Sequence, residues 1–93
     1  MGKTNERYEL TDDGCTTVEY TGEDLRFTVP VLDRETGITW TVEAHYHGYS
    51  VSTWRQLAPI EVQRWVERSA EVRHEARAML ADEERWAEQE MAS

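Results

Sequence analysis

Leu25-Arg-Phe-Thr-Val-Pro-Val31 and Ile38-Thr-Trp-Thr-Val-Glu-Ala-His-Tyr-His47 decide the fold. In the first run Leu25, Phe27, Val29 and Val31 alternate with Arg26, Thr28 and Pro30. In the second, Ile38, Trp40, Val42, Ala44 and Tyr46 alternate with Thr39, Thr41, Glu43, His45 and His47. Period-two alternation marks strands with one buried and one wet face. Asp33-Arg34-Glu35-Thr36-Gly37 lies between them as a hairpin loop, with Gly37 supplying a positive φ. Pairing Val31 with Ile38 keeps both apolar sets on one face.

Upstream, Thr16-Thr17-Val18-Glu19-Tyr20 reads as a shorter strand with Val18 and Tyr20 facing in. Thr21-Gly22-Glu23-Asp24 turns it into the Leu25 strand. Tyr8 and Leu10 add a further strand before the Asp12-Asp13-Gly14 turn. Pro30 has no amide proton to give a ladder, which predicts an edge position or a bulge. Residues 1–6 read as a flexible polar tail, and 7–47 as an antiparallel meander of three or four strands.

Downstream the period changes to helical. Residues 48–58 form a connection, in which Thr53–Leu57 predicts one turn with Thr53 and Gln56 spaced as a capping box. Pro59 suits the first position of a helix, Leu57 and Val62 are spaced as a hydrophobic staple, and Glu61 lies in the positively polarised first turn. Nothing in 59–91 interrupts a single helix of about 45–50 Å. On its wheel Val62, Trp65, Val66, Ser69, Val72, Ala76, Met79 and Leu80 share an apolar arc. Arg64, Glu67, Arg68, Glu71 and Glu75 lie opposite. Past Leu80 the stripe degrades, because Glu83, Glu84 and Glu90 fall among Trp86, Ala87 and Met91. Strands of this length span only about 17–24 Å, so the end of the helix outruns the sheet. The expected class is α+β, a β-meander followed by a long C-terminal helix, in a single domain 1–93.

Composition narrows the function. Ninety-three residues with four Trp and four Tyr can bury one thin core. No apolar run reads as a membrane span or secretory leader. The single cysteine, Cys15, has no partner for an internal disulfide, so a reduced, cytoplasmic setting is expected. Acids outnumber bases by 19 to 10, a net charge of −9. Phosphate neutralisation needs clustered Lys and Arg, which excludes nucleic acid and anionic lipid as partners. Proteins carrying basic patches fit instead.

Candidate chemistry is sparse. His45 and His47 share a strand face with Glu43, all zinc-ligand types, but no further cluster completes a site. A solvated polar face is the simpler reading, and no metal or cofactor is expected. His74, on the helix flank beside Glu71, reads as a surface residue. Cys15 has no basic neighbour to lower its pKa. No nucleophile, base and orienting acid can be assembled from spacing, and no glycine loop resembles a phosphate cradle. No catalytic residue is assigned, and no enzyme is expected.

Trp40 and Trp65 fall on core faces and are expected at the sheet–helix interface. Trp54, in the connection, reads equally as a lid on the core or an exposed anchor. Trp86 reads as an interface anchor, a common role for exposed Trp, or as a ring folded back on its own helix. The expected partner-binding residues are Trp54, Glu67, Glu71, Glu75, Met79, Glu83 and Trp86.

Arg is used nine times and Lys once, a skew that fits codon pressure in a GC-rich genome. Short, acidic, Arg-rich and ending in a Trp-bearing helix, the chain resembles small accessory proteins of phages infecting actinobacteria. That resemblance implies a protein that binds and redirects a host factor. Three readings follow. The first is a non-enzymatic adaptor or inhibitor binding another protein through the C-terminal helix and its acidic surface. The second is a structural or assembly protein, homodimeric through that helix, with Trp65, Val72, Met79 and Trp86 at heptad spacing. The third is an acidic mimic of DNA, against which Arg64, Arg68, Arg73 and Arg77 interrupt the acidic row.

Overall fold

A computed structural model describes residues 6–92, with side chains through Gln89. Most of the expected tail, and the side chains of Glu90 and Met91 in the apolar stripe, lie outside the described residues. The fold is α+β. Five strands, β1 (Tyr8–Leu10), β2 (Thr16–Tyr20), β3 (Leu25–Asp33), β4 (Thr39–His47) and β5 (Ser50–Thr53), precede two helices, α1 (Ile60–Arg68) and α2 (Ala70–Ala92). All pairings are antiparallel, in the order β1-β3-β4-β5, with β2 also on β3.

The β3–β4 hairpin has the expected face but a different register. Val31 lies opposite Trp40, not Ile38, a slip of two residues that preserves side-chain parity. The strand runs on to Asp33, whose amide donates to the Ile38 carbonyl at 2.8 Å while Gly37 donates to the Asp33 carbonyl. Asp33 thereby becomes the last inward residue of β3 and is buried. Its carboxylate receives Arg7 Nε and Nη2, both at 3.0 Å, and the Glu35 amide at 3.0 Å. Ile38, left at the open end of the sheet, is exposed, and Trp40 is half-buried rather than core.

Pro30 explains the edge of the sheet. A strand residue points its N–H and C=O to the same side, and the Pro30 carbonyl accepts from Thr11. The missing donor therefore faces the β1–β2 side. There the chain leaves the ladder between Leu10 and Thr16, so β3 is an inner strand with a gap in its neighbour. A register shift between Thr17 and Glu19 sends Val18 to solvent, where an inward Val18 was expected. Thr17 and Tyr20 take the inward positions.

The expected connection holds a fifth strand, β5. Gly48, at φ 64°, begins a two-residue turn, and Ser50–Thr53 return along His47–Ala44. Gln56 extends that ladder with its side chain, accepting from the Glu43 amide at 2.8 Å and donating to the Glu43 carbonyl at 2.9 Å. Neither the capping box nor the staple forms. Thr53 Oγ1 is engaged by Glu67, and Leu57 is 97% exposed while Val62 is buried. Pro59 is the N-cap of α1 rather than its first residue.

The single long helix is also corrected. Ser69 takes an extended conformation (φ −68°, ψ 120°), and its Oγ accepts the Val72 amide at 3.2 Å. Ser is a preferred N-cap because its oxygen satisfies an orphan amide of the first turn, and here it starts α2 in mid-stripe. The apolar arc itself is correct: Val62, Val66, Val72 and Ala76 are buried against Leu25, Phe27, Val29, Val31, Val42, Ala44, Tyr46 and Val51. Trp65, Met79 and Leu80 pack partly on that core, and Trp65 tilts against Tyr8 at 6.4 Å.

Phe27→Ala is expected to cost about 3–5 kcal/mol, and Trp40→Ala less, in urea melts of the two variants. The Arg7 guanidinium, first by its hydrogen bonds, holds the Asp33 carboxyl at about 2 against 3.8 when unfolded. A depressed folded pKa stabilises above the unfolded value and is lost as pH falls through the folded one. Asp33→Asn is expected to lower the melting temperature at neutral pH and to flatten its decline between about pH 4 and pH 2. An unchanged acid limb would remove Asp33 from the cause.

Candidate protein-binding site

The apolar stripe of α2 stays on the core as far as Met79 and Leu80. With 23 residues α2 is about 35 Å long, and from Ala81 on no described residue joins the core. Trp86 lies on that overhang, on the side of the helix that carries Val72 and Met79, and is 66% exposed. It shares a shallow depression with Asp82, Arg85 and Gln89. Arg85 Nη2 donates to Asp82 Oδ1 at 2.8 Å, so the one cation among residues 81–89 is spent within its own turn. Among the described residues Glu83, Glu84 and Glu88 pair with no cation, Glu83 on the Trp86 side and Glu84 and Glu88 on the far side. The result is an apolar anchor with an acidic flank.

Of the seven residues expected to bind a partner, three are used inside the fold. Glu67 accepts from the Thr53 amide at 3.0 Å and Thr53 Oγ1 at 2.7 Å, closing part of the outer edge of β5. Glu75 accepts from the Cys15 amide at 3.1 Å and pins the loop between β1 and β2. Gly14, at φ 71°, permits that approach, since a Cβ there would sit 3.2 Å from Glu75 Oε1. Met79 packs at the core margin, its sulfur 3.5 Å from Thr17 Oγ1. Glu71 is exposed beside the groove at the α1–α2 bend, with Tyr8, Trp65, Arg34 and Arg68. Trp54 is partly exposed beside Ile60 and Gln63. Only Glu83 and Trp86 share the overhang.

The heptad row narrows in the same way. Trp65 belongs to α1, Val72 is buried and Met79 packs on the core, so Trp86 alone of the four is open. Tyr49 and Ile60 are exposed apolar side chains that no spacing in the sequence marks, and Leu57, expected in a staple, is exposed as well. Burial class in a turn depends on which element comes to cover it, and local spacing carries no such signal.

The wet face of the sheet gathers a different trio from the one expected. Asp24, from the β2–β3 turn, binds both imidazoles: Oδ2 lies 3.2 Å from His45 Nε2, and Oδ1 contacts His47 Nδ1. The rings stack at 6.3 Å. Hydrogen bonding from His47, foremost, lowers the Asp24 pKa. Glu43 instead uses its backbone to bind Gln56. Among the described residues no group of three or more His, Cys, Asp and Glu side chains is placed to hold a metal ion. The carboxylate ties the turn to the end of β4.

Burial, and then the carboxylates of Glu75 and Glu71, push the Cys15 thiol up to about 12. The nucleophile is the thiolate, so alkylation of the native protein near pH 8 is expected to run at least about a hundredfold slower than in denaturant. Glu75→Gln should recover part of the difference, and equal rates in the native and denatured protein would contradict this burial. Compared with protein-family models, curated proteins and solved structures, the chain matches none.

Proposed function

We propose that the chain is a non-enzymatic protein-binding module, acting as an adaptor or inhibitor through the overhanging end of α2. The observation that carries this reading is Trp86, 66% exposed on a helical segment none of whose described residues joins the core. A helix that merely stabilised its own sheet would end near Leu80. Large aromatics fixed on a rigid element anchor protein interfaces, because they bury much area at small entropic cost. Asp82 and Glu83, on its side of the helix, favour a partner with an apolar pocket rimmed by Lys or Arg. Rim charges of this kind chiefly speed encounter, while the ring sets the dissociation rate.

The net charge of −9 supports the same choice of partner over nucleic acid. No helix among the described residues is long and apolar enough to cross a membrane, and a cytoplasmic setting fits one unpaired cysteine. The likeness in composition to phage accessory proteins adds a host protein as the partner. DNA mimicry is less well supported, since Arg73 and Arg77 stand exposed on the same helix.

The test is affinity capture from an actinobacterial lysate with the wild-type chain and with Trp86→Ala. A basic protein retained by the first should be lost from the second, with a loss of about 2 kcal/mol or more, some thirtyfold in Kd. The thermal melt of Trp86→Ala should stay within about 0.5 kcal/mol of wild type. Identical captured sets would exclude the α2 overhang as the contact surface. Met79 is unsuitable as a second probe, because its truncation damages the core margin.

A further inference from the structure

The outward side of α2, opposite Val72, Met79 and Trp86, carries Arg73, Arg77, Ala81, Glu84 and Glu88. Steps of four, four, three and four residues keep these five in one stripe at 3.6 residues per turn. All five are exposed. Its N-terminal half is positive and its C-terminal half negative. Among the described residues none of the four charged side chains makes a salt bridge within the chain. Each half stacks like charges one turn apart, an arrangement that repels in an isolated helix.

Read backwards, the stripe is its own complement. We infer that a second copy of this chain pairs with it, the two α2 helices running antiparallel about a two-fold axis beside Ala81. Arg73 then faces Glu88 of the other copy and Arg77 faces Glu84, and symmetry makes each contact twice. Ala81 sits at the crossing, where a side chain of one carbon lets the backbones approach. Tyr49, 83% exposed, shares a groove of about 330 Å³ with Tyr46, Ala70, Arg73, His74 and Arg77. It supplies apolar area at each end of the paired helices, where the other copy's Glu88 arrives. The self-association that heptad spacing would place on the Trp86 side thus moves to the opposite side, and Trp86 stays free on both copies. The inference does not depend on the partner proposed for Trp86.

From Arg73 to Glu88 the stripe is only about 22 Å long. A contact of this size, largely ionic, falls below the area of a permanent dimer and weakens as salt screens it. Sedimentation equilibrium of the full chain at tens to hundreds of micromolar tests it. In about 20 mM NaCl a monomer–dimer equilibrium is expected, weakened at least about tenfold in about 500 mM NaCl. R73E/R77E makes the stripe wholly acidic and E84R/E88R makes it wholly basic; each alone should be monomeric. Mixed together they should form a heterodimer, and R73E/R77E/E84R/E88R, self-complementary again, should recover the homodimer. Arg77→Gln or Glu84→Gln, which remove charge without adding repulsion, should each weaken it about tenfold. Circular dichroism melts check that these exposed substitutions leave the fold intact. A wild-type chain that stays monomeric in low salt overturns the inference. So does a dimer that survives charge reversal, fails to be rescued by the mixture, or is lost on Trp86→Ala.

Discussion

Seven side chains on the inward face of β3 and β4 (Leu25, Phe27, Val29, Val31, Val42, Ala44 and Tyr46) must be kept from water, and the chain after Thr53 supplies the helices that cover them. A helix with its side chains is about 10–12 Å wide, while strands spaced about 4.8 Å apart make this sheet broader. One straight helix would leave part of the face bare. Ser69 resolves the mismatch by ending α1 and capping α2 within a residue. α1 then lies over β5 and β4, and α2 crosses β2, β3, β4 and β5. The bend also frees the end of α2, because a helix redirected across the sheet reaches its margin at Leu80 with several turns remaining.

The polar side chains that fasten this arrangement are chiefly acceptors. Glu67 closes β5, Glu75 holds the loop carrying Cys15, and Asp33 receives Arg7. Tyr8 and Arg7 reach Glu61 and bring β1 to α1. Each satisfies a backbone or side-chain donor at a place where the sheet is interrupted: a free edge, the gap opposite Pro30, the open end of the hairpin. Carboxylates suit these places, since two oxygens can accept from neighbouring donors at once. The same use removes Glu67 and Glu75 from the surface available to partners. What remains on α2 sorts by side, with Trp86 and its acidic flank continuing the core stripe and a two-signed row facing outward.

Single-domain proteins of this size bury a modest share of their surface, and association is a common way of covering more. Here the free surface divides between an aromatic anchor and a charge row on opposite sides of one helix. The two proposed contacts, Trp86 with another protein and the charge row with a second copy, therefore fall on opposite sides of α2.

The sequence by itself determined what depends on neighbours a few residues away. Alternation marked the inward residues of β3 and β4, helical spacing picked out Val62, Val66, Val72 and Ala76, and the charge count set the sign of the surface. The β4–β5 turn at Gly48 and the short, polar Ser50–Thr53 strand beyond it lay inside what reads as a connection. The tertiary structure decided what depends on a partner far along the chain. The register of β3 against β4 follows from burying Asp33 where Arg7, 26 residues earlier, can meet it. Val18 turns outward because β2 must resume its ladder on β3 after the gap at Pro30. Ser69 caps rather than continues a helix because the sheet is wider than one helix can cover. Glu67 and Glu75 face inward because donors on Thr53 and Cys15 need them. Periodicity reports which side of an element is apolar, and it is silent on which distant polar atom will arrive there.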